Sequence, residues 1–193
     1  MKYRCALLSP LLILCLSANA QGIFSRFDST LKIGKAGYRF HCRNERMDQN
    51  PLMIRPLGFD ASLREMDFNI KGLVKGVEVD DLNNDGFPDL LLYIYTDTIT
   101  WNGTIYAFVS DGNKSVVPCV LPDAMMDGKI NTGYKGHDQF SRMEGYLLQK
   151  FPIYQPGDDK DKPSGGTRVL LYQLVRNAEG GFKFNRVRYY DTH

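Results

Sequence analysis

Short apolar runs separated by turn-forming residues restrict the fold of this chain more than any other feature of its sequence. About nine such runs, rich in Val, Ile, Leu, Tyr and Phe, follow one another, among them YRFHC, DLLLYIYT, TIYAFVS and RVLLYQLVR. Gly, Asn, Asp and Pro lie between them, as at residues 84–86 and 102–103. Runs of this length at hairpin spacing are typical of antiparallel strands. The sequence therefore predicts an all-β fold, an antiparallel β-sandwich or flattened barrel of about eight to nine strands.

Three segments interrupt the strand pattern. Residues 60–68 (DASLREMDF) and 122–128 (PDAMMDG) are each predicted to form a short helical turn. Residues 155–167 (QPGDDKDKPSGGT) contain no large apolar residue and join two predicted strands. We expect a solvated, mobile loop there. Its acidic residues are interleaved with lysines, which argues against a cation site in this loop.

The first 20 residues, MKYRCALLSPLLILCLSANA, have the features of a secretory signal peptide. Lys2 and Arg4 precede an apolar centre, and Ala18-Asn19-Ala20 matches the small residues of a cleavage site. The apolar stretch 11–16 is too short to span a bilayer. We expect cleavage near Ala20, export to the periplasm or secretion, and a single β-sandwich domain formed by residues 21–193.

The charge balance of the exported chain restricts its partners. Removal of Lys2 and Arg4 with the signal leaves 22 basic residues against 22 acidic ones. A formally neutral chain gives no electrostatic reason to expect binding to nucleic acid or to an anionic membrane. No later segment is long and apolar enough to cross a bilayer, so we expect a protein that is not embedded in a membrane.

Two cysteines remain after removal of the signal, Cys42 and Cys119. In an oxidising compartment they can close one disulfide, which would stabilise the chain by a few kcal/mol. The alternative is a pair of buried thiols, and the sequence leaves both open. Neither cysteine has a neighbour at the spacing of zinc ligands, so no zinc site is predicted.

The stretch 77–95, VEVDDLNNDGFPDLLLYIY, contains the densest set of oxygen ligands. These side chains recur at alternating positions around Gly86: Asp81, Asn83, Asp85 and Asp89. The spacing matches the opening of a calcium loop and resembles the loops of integrin-type propeller repeats, although only one copy is present. An EF-hand is excluded because Leu92 occupies the twelfth position. The alternative, which the sequence favours, is a tight turn whose side chains cap backbone N–H groups. No cofactor is then required, and Ca²⁺ is the alternative.

Several longer segments resemble the periplasmic inhibitors of invertebrate-type lysozyme. The first is an apolar strand followed by the stretch 77–95 and the hairpin NGTIYAFV. The others are GYKGHDQF, EGYLLQKFPIY and PSGGTRVLLYQL. The resemblance covers roughly residues 30–175. It implies an exported, non-catalytic β-sandwich, often a homodimer, that binds a protein partner by pushing a loop with a Ser-Gly-x-Tyr signature into the lysozyme cleft.

The chain departs from that signature at both segments that come near it. Residues 102–106 read Asn-Gly-Thr-Ile-Tyr, with Asn in place of Ser and one extra residue before Tyr106. Residues 164–167 read Ser-Gly-Gly-Thr and lack the tyrosine. The departure concerns the inhibitory loop and leaves the fold expectation intact.

Two groups of residues are candidates for partner binding. The first is expected at a hairpin tip, where exposed aromatic rings suit recognition, and comprises Trp101, Asn102, Gly103 and Tyr106. The second is the densest polar cluster outside the acidic loop and comprises Tyr134, Lys135 and His137, next to Asp138. The alternatives are that Tyr106 packs in the core and that His137 is a structural hydrogen-bonding group near Gly133 and Gly136. Arg55 and Arg168 lie in apolar strands and are expected to face solvent.

The sequence gives little support to the hypothesis that the chain is an enzyme. The chain has no Gly-x-Ser-x-Gly elbow, no HExxH motif and no phosphate-binding loop. A hydrolase built around His137 is the weakest of the three hypotheses. The sequence therefore predicts a non-catalytic binding protein, with a calcium-stabilised module that binds glycans or cell-surface partners as the alternative.

Overall fold

A computed structural model describes residues 26–143 and 145–193. The predicted signal peptide lies outside the described residues. The strands follow one another in the order β1 (Phe27–Ile33), β2 (Ala36–Cys42), β3 (Asn50–Leu57), β4 (Met66–Ile70), β5 (Leu73–Asp80), β6 (Asp89–Tyr95), β7 (Gly103–Asp111), β8 (Ser115–Val120), β9 (Gln139–Met143), β10 (Tyr146–Pro152), β11 (Thr167–Arg176) and β12 (Phe182–Thr192). Between β8 and β9, Ala124–Met126 forms a turn of 3₁₀-helix.

The twelve strands form three antiparallel sheets, each made of four consecutive strands. We name them the first sheet (β1–β4), the central sheet (β5–β8) and the last sheet (β9–β12). Every strand pairs with its neighbour in the chain, so each sheet is a meander, and none of the three closes on itself. The predicted all-β, antiparallel sandwich is confirmed, and the flattened-barrel alternative is not.

The central sheet is buried on both faces. Leu90, Leu92 and Ile94 of β6 belong to the core shared with the first sheet, whereas Leu91 belongs to the core shared with the last sheet. Alternating side chains of one strand point to opposite faces, and here both faces are apolar. This explains why β6 reads as the continuous apolar run DLLLYIY instead of alternating with polar residues.

The structure therefore has three layers and more strands than the eight or nine predicted. One of the two predicted helical turns is confirmed, because Ala124–Met126 lies within 122–128 and the Asp123 carboxylate accepts a hydrogen bond of 2.9 Å from the N–H of Met125. The other prediction, over residues 60–68, was wrong. Met66 and Phe68 belong to β4 and pack with Ile70 against the core of the first sheet, as period-2 alternation requires.

Of the two alternatives that the sequence leaves open for Cys42 and Cys119, the structure has the pair of buried thiols and no disulfide between them. Cys42 is buried between the first and central sheets, and Cys119 between the central and last sheets. The two sulfurs thus lie on opposite sides of the central sheet, where no disulfide geometry can join them. Burial raises the pKa of both thiols, that of Cys119 to about 11.

This arrangement predicts that neither thiol reacts with a thiol reagent while the chain is folded. Burial keeps both cysteines protonated and inaccessible, so we expect labelling at least about 100-fold slower in native buffer than in denaturant. The measurement is absorbance on reaction with a chromogenic disulfide reagent. Labelling of the unfolded chain that appears only after a reductant is added would show a disulfide instead.

Among the described residues, no helix has the length and apolar character needed to cross a bilayer.

Candidate functional site

Two loops far apart in the sequence lie side by side at one end of the central and last sheets. They are residues 97–102, between β6 and β7, and residues 133–138, before β9. The N–H of Asp138 donates a hydrogen bond of 3.2 Å to the carbonyl of Trp101, and the N–H of His137 donates to that of Thr100. A Cβ atom on Gly136 would lie 2.3 Å from the carbonyl oxygen of Thr100, so the close approach of the loops requires glycine there.

The carboxylate of Asp138 holds the two loops together. It is 3% exposed. Its Oδ2 accepts hydrogen bonds from the N–H of Gly103 at 2.8 Å and from the hydroxyl of Tyr134 at 2.6 Å. Its Oδ1 accepts one from the side-chain amide of Gln149 at 2.8 Å. Burial raises the pKa of Asp138, although these three donors act in the opposite direction.

The first loop is closed on itself by Asp97. This carboxylate accepts hydrogen bonds from the N–H groups of Ile99, Thr100, Trp101 and Asn102 and from the hydroxyl of Thr100. Burial raises the pKa of Asp97, but the hydrogen bonds from Thr100 and its neighbours outweigh burial and leave the pKa below its ordinary value. Both loops are therefore fixed from within by a carboxylate.

The outer side of these loops and the adjacent strand β5 carry cationic and aromatic groups, which we call the contact surface: Lys75, Trp101, Lys135 and His137. The Lys75 ammonium lies 3.7 Å from the centre of the Trp101 ring. The Lys135 ammonium lies 4.7 Å from the ring of Tyr154, and the His137 ring lies 6.1 Å from it. A hollow of about 310 Å³ between them is lined by Lys75, Tyr95, Trp101, His137, Asp138 and Gln139.

The backbone is unusual at three of these positions. Lys75 lies at a register shift in the pairing of β5 with β6, and no residue of β6 is paired with it. This is the geometry of a β-bulge. Trp101 and His137 both have left-handed backbone, with φ of 51° and 60°. Such conformations cost free energy in non-glycine residues, and here the hydrogen bonds between the two loops maintain them.

Most of the residues that the sequence singled out for partner binding lie together here: Trp101, Asn102, Gly103, Tyr134, Lys135 and His137. Tyr134 is buried, and its hydroxyl bridges Asp138 and the side chain of Asn102. Asn102, Gly103 and Tyr134 therefore support the surface, whereas Trp101, Lys135 and His137 form it. Lys75 was not identified from the sequence. The only signal was a lysine next to Gly76 inside an apolar strand.

Tyr106 is the exception among the predicted binding residues. It lies within β7, paired with Leu92 and Val120, and packs against the core between the first and central sheets. The structure has the alternative that the sequence left open for Tyr106, packing against the core, because β7 begins at Gly103 and carries Tyr106 away from the loop.

The side chains of the Asp/Asn stretch bind backbone N–H groups. Asp81 accepts hydrogen bonds from the N–H groups of Asp85 at 2.9 Å and Gly86 at 2.8 Å. Asn83 accepts one from the N–H of Asp85 at 3.0 Å. Gly86 has a φ of 85°, which suits the turn. These contacts are those of the predicted capped turn.

The other two members of the stretch tie the turn to β7 and to the hairpin that follows it. Asp85 accepts a hydrogen bond from the N–H of Gly112 at 3.0 Å. Asp89 is fully buried and accepts from the N–H groups of Leu82 at 2.8 Å and Ser110 at 2.7 Å. Burial raises the pKa of Asp89 to about 7. Within the part of the chain that the structure describes, no group of three or more His, Cys, Asp or Glu side chains has the arrangement of a metal site.

These hydrogen bonds predict that calcium does not stabilise the fold. Because N–H groups already satisfy the four side chains, we expect melting temperatures in EDTA and in CaCl₂ to agree within about 1 °C. The measurement is thermal unfolding followed by circular dichroism. A calcium-dependent rise that Asp81→Asn abolishes would contradict the turn and establish a calcium site.

Comparisons with known proteins do not place the chain in a family. No protein-family model and no curated protein matches it. The likeness to inhibitors of invertebrate-type lysozyme is confined to the sequence segments quoted above.

Proposed function

We propose that this chain is an exported, non-catalytic binding protein that uses the contact surface to recognise a protein partner. The specific partner that we propose is a lysozyme, bound at its active-site cleft. The observation that carries the proposal is the pair of loops locked by Asp97 and Asp138. Export is supported by the signal sequence, and the partner class by the chemistry of the surface.

The surface is fixed before any partner arrives. Hydrogen bonds within and between the loops hold the backbone of Trp101 and His137, and the Lys75 ammonium sits over the Trp101 ring. A partner would therefore lose little conformational entropy by ordering these groups, which is the main way in which rigid loops gain affinity. Tryptophan is also among the residues most often found at energetic centres of interfaces.

The charge of the surface complements an acidic cleft. Its groups are an indole, two ammonium groups and an imidazole, all of them hydrogen-bond donors. The carboxylates of the same loops, Asp97 and Asp138, are turned inward onto N–H and hydroxyl donors. Glycoside hydrolases such as lysozymes act with a pair of carboxyl groups, so a donor-rich surface suits their clefts.

The geometry favours this role over a hydrolase built on His137 and Asp138. A general-base pair needs the carboxylate to contact the imidazole and orient it. Asp138 instead directs its oxygens to Gly103, Tyr134 and Gln149. The His137 ring lies beside that of Tyr154, with ring centres 6.1 Å apart and an interplanar angle of 32°. The two side chains have separate structural roles.

The test is a titration of the mature chain against invertebrate-type, chicken-type and goose-type lysozymes in a cell-wall lysis assay. We expect stoichiometric inhibition of one class, and we expect Trp101→Ala to weaken it by about 30-fold, the effect of losing a residue at an interface centre. Lys75→Ala removes the cation beside the ring and should weaken inhibition less.

Tyr189→Ala is the matched control, because Tyr189 is an exposed aromatic residue of β12 outside the contact surface. Its inhibition constant should equal that of the unmodified chain. Absence of inhibition of all three classes would contradict a lysozyme as the target. Equal losses of inhibition in Trp101→Ala and Tyr189→Ala would contradict the role of the contact surface. Analytical ultracentrifugation of the same samples tests the homodimer that the resemblance implies.

A further inference from the structure

A second concave site lies on the last sheet, on the face turned away from the central sheet. It is a cavity of about 670 Å³. Its floor is a row of cross-strand partners, Gln139, Lys150, Val169 and Tyr190, one from each strand of the sheet. Lys150 alternates along β10 with the core residues Gln149 and Phe151, so this row lies on the outer face.

The loop after β10, residues 153–166, forms the wall of this cavity. Its tip is held by Asp158, which accepts hydrogen bonds from the N–H and the hydroxyl of Ser164 at 2.8 and 2.7 Å. The hydroxyl of Tyr154 donates to the carbonyl of Lys160 at 2.8 Å. The N–H of Tyr154 donates to the carbonyl of Gly133 at 2.8 Å. The segment predicted to be a mobile loop is exposed but internally hydrogen-bonded, so these hydrogen bonds fix the wall of the cavity.

The lining combines three kinds of group. Hydroxyl and amide groups come from Gln139, Thr167, Tyr190 and Thr192, and apolar contacts from Pro152, Pro163 and Val169. Lys150 and Asp161 bring one charge of each sign, and His137, Phe151 and Tyr154 complete the lining. Opposite charges across the lining disfavour a strongly charged ligand, and the many hydroxyl and amide groups disfavour a lipid chain. A ligand with many hydroxyl groups and small apolar faces can form hydrogen bonds with the polar groups and pack against the apolar ones.

We propose that this cavity binds a saccharide of one or two sugar rings. Its volume lies in the range of small-molecule sites, and its mixture of apolar area with a few polar groups is typical of them. The Tyr190 ring lines the cavity and is 39% exposed. The Arg188 guanidinium lies 5.2 Å from the centre of this ring and steadies it. A sugar ring stacks its C–H face on such a ring while its hydroxyl groups reach Gln139 and Lys150.

This inference does not rest on the proposed function, although His137 belongs to the contact surface and also lines the cavity. Trp101 and Lys75 do not line the cavity, and Tyr190 is not part of the contact surface. A saccharide can therefore bind whether or not a lysozyme is inhibited, and the two activities respond to different substitutions.

The test is isothermal titration calorimetry of the mature chain, residues 21–193, with three soluble probes: chitotetraose, maltotetraose and cellotetraose. We expect at least one to bind with a dissociation constant of about 1 mM or tighter. We expect Tyr190→Ala to weaken that binding at least tenfold. Tyr189→Ala is the matched control, since it removes the neighbouring tyrosine of the same strand, which is 44% exposed and outside the cavity.

Three results would overturn the proposal. The first is no binding of any probe up to about 10 mM. The second is binding that Tyr190→Ala leaves unchanged. The third is an equal loss in Tyr190→Ala and Tyr189→Ala. Melting curves of both variants, which we expect to match that of the unmodified chain because both rings are exposed, separate lost contacts from lost folding. Trp101→Ala should leave saccharide binding unchanged.

Discussion

Replacing Asp138 by alanine is expected to lower the free energy of unfolding by roughly 3–5 kcal/mol, the largest effect of any single substitution considered for this chain. The substitution leaves two buried donors without an acceptor, the N–H of Gly103 and the amide of Gln149, and leaves the hydroxyl of Tyr134 with only the side chain of Asn102 as a partner. Each unsatisfied buried donor costs about 1–3 kcal/mol, and relaxation around the site reduces the sum. The same donors hold the two loops, so binding at the contact surface should be lost as well.

Urea unfolding followed by fluorescence of the single tryptophan, Trp101, measures this effect directly. A shift of the midpoint at constant slope reports lost stability, whereas a changed slope would report a different unfolded or native state. Asp161→Ala is the matched control, because Asp161 is an exposed acidic residue with an ion pair only to a neighbouring lysine at 3.9 Å. An effect below about 1 kcal/mol for Asp138→Ala, within the range of a surface substitution, would contradict the anchoring role.

A second variant at this position, Asp138→Asn, gives the pH dependence of stability a definite sign. Burial raises the pKa of Asp138 in the folded chain, assisted by the nearby charge of Asp123 and opposed by Gly103, Tyr134 and Gln149. A carboxyl whose pKa is raised by folding contributes its stability below its ordinary pKa and loses that contribution as the pH rises through the folded value. The stability difference between the unmodified chain and Asp138→Asn should therefore shrink as the pH rises from the ordinary carboxyl range towards neutrality. A difference that grows over this range would contradict the raised pKa.

Replacing Asp89 by alanine is expected to lower the free energy of unfolding by roughly 2–4 kcal/mol. Asp89 begins β6 and is fully buried, and its two oxygens accept hydrogen bonds from the N–H groups of Leu82 and Ser110. One carboxylate thereby ties the turn before β6 to the middle strand β7. Its loss leaves two N–H groups without partners inside the molecule.

Asp81→Ala is the matched comparison, because Asp81 also accepts two backbone N–H groups but lies nearer the surface. Water can replace its carboxylate, so we expect a loss of about 1 kcal/mol, similar to the loss of a helix cap. Guanidinium unfolding of both variants in EDTA gives the two values without interference from metal ions. Equal losses would show that the Asp/Asn stretch acts as a unit, which a shared ligand would explain better than two separate caps.

The strands were predictable because their signal is local. Apolar runs bounded by Gly, Asn and Asp are visible in the sequence, and so was the turn at residues 81–86. The capped form of that turn was also predictable, since Asp and Asn side chains bind N–H groups two to five residues along the chain. The third layer was harder to infer, because an apolar strand does not reveal which of its faces a distant sheet will cover.

The candidate site depended on long-range contacts that the sequence does not display. Lys75 reaches Trp101 only because β5 bulges at that residue. Arg168, expected to face solvent, is buried and binds Asp191 through two hydrogen bonds of 2.7 and 2.8 Å and the carbonyl of Ile130 at 2.7 Å. Arg55, predicted in the same way, is exposed. What distinguished the two arginines was a carboxylate and a loop carbonyl, contributed by residues more than 20 positions away.

The division of the strands into three consecutive meanders bears on how the chain can fold while it is being synthesised. All strand pairs join neighbours in the sequence, so the first and central sheets, residues 27–120, can form while later residues are still being added. At that stage Leu91, Ile105 and Val109 lie on an open apolar face that the last sheet has not yet covered. An exposed apolar face of this kind promotes association with other chains. The last sheet thus covers this face only after residues 139–192 have been synthesised, and until then an intermediate with two sheets is prone to association.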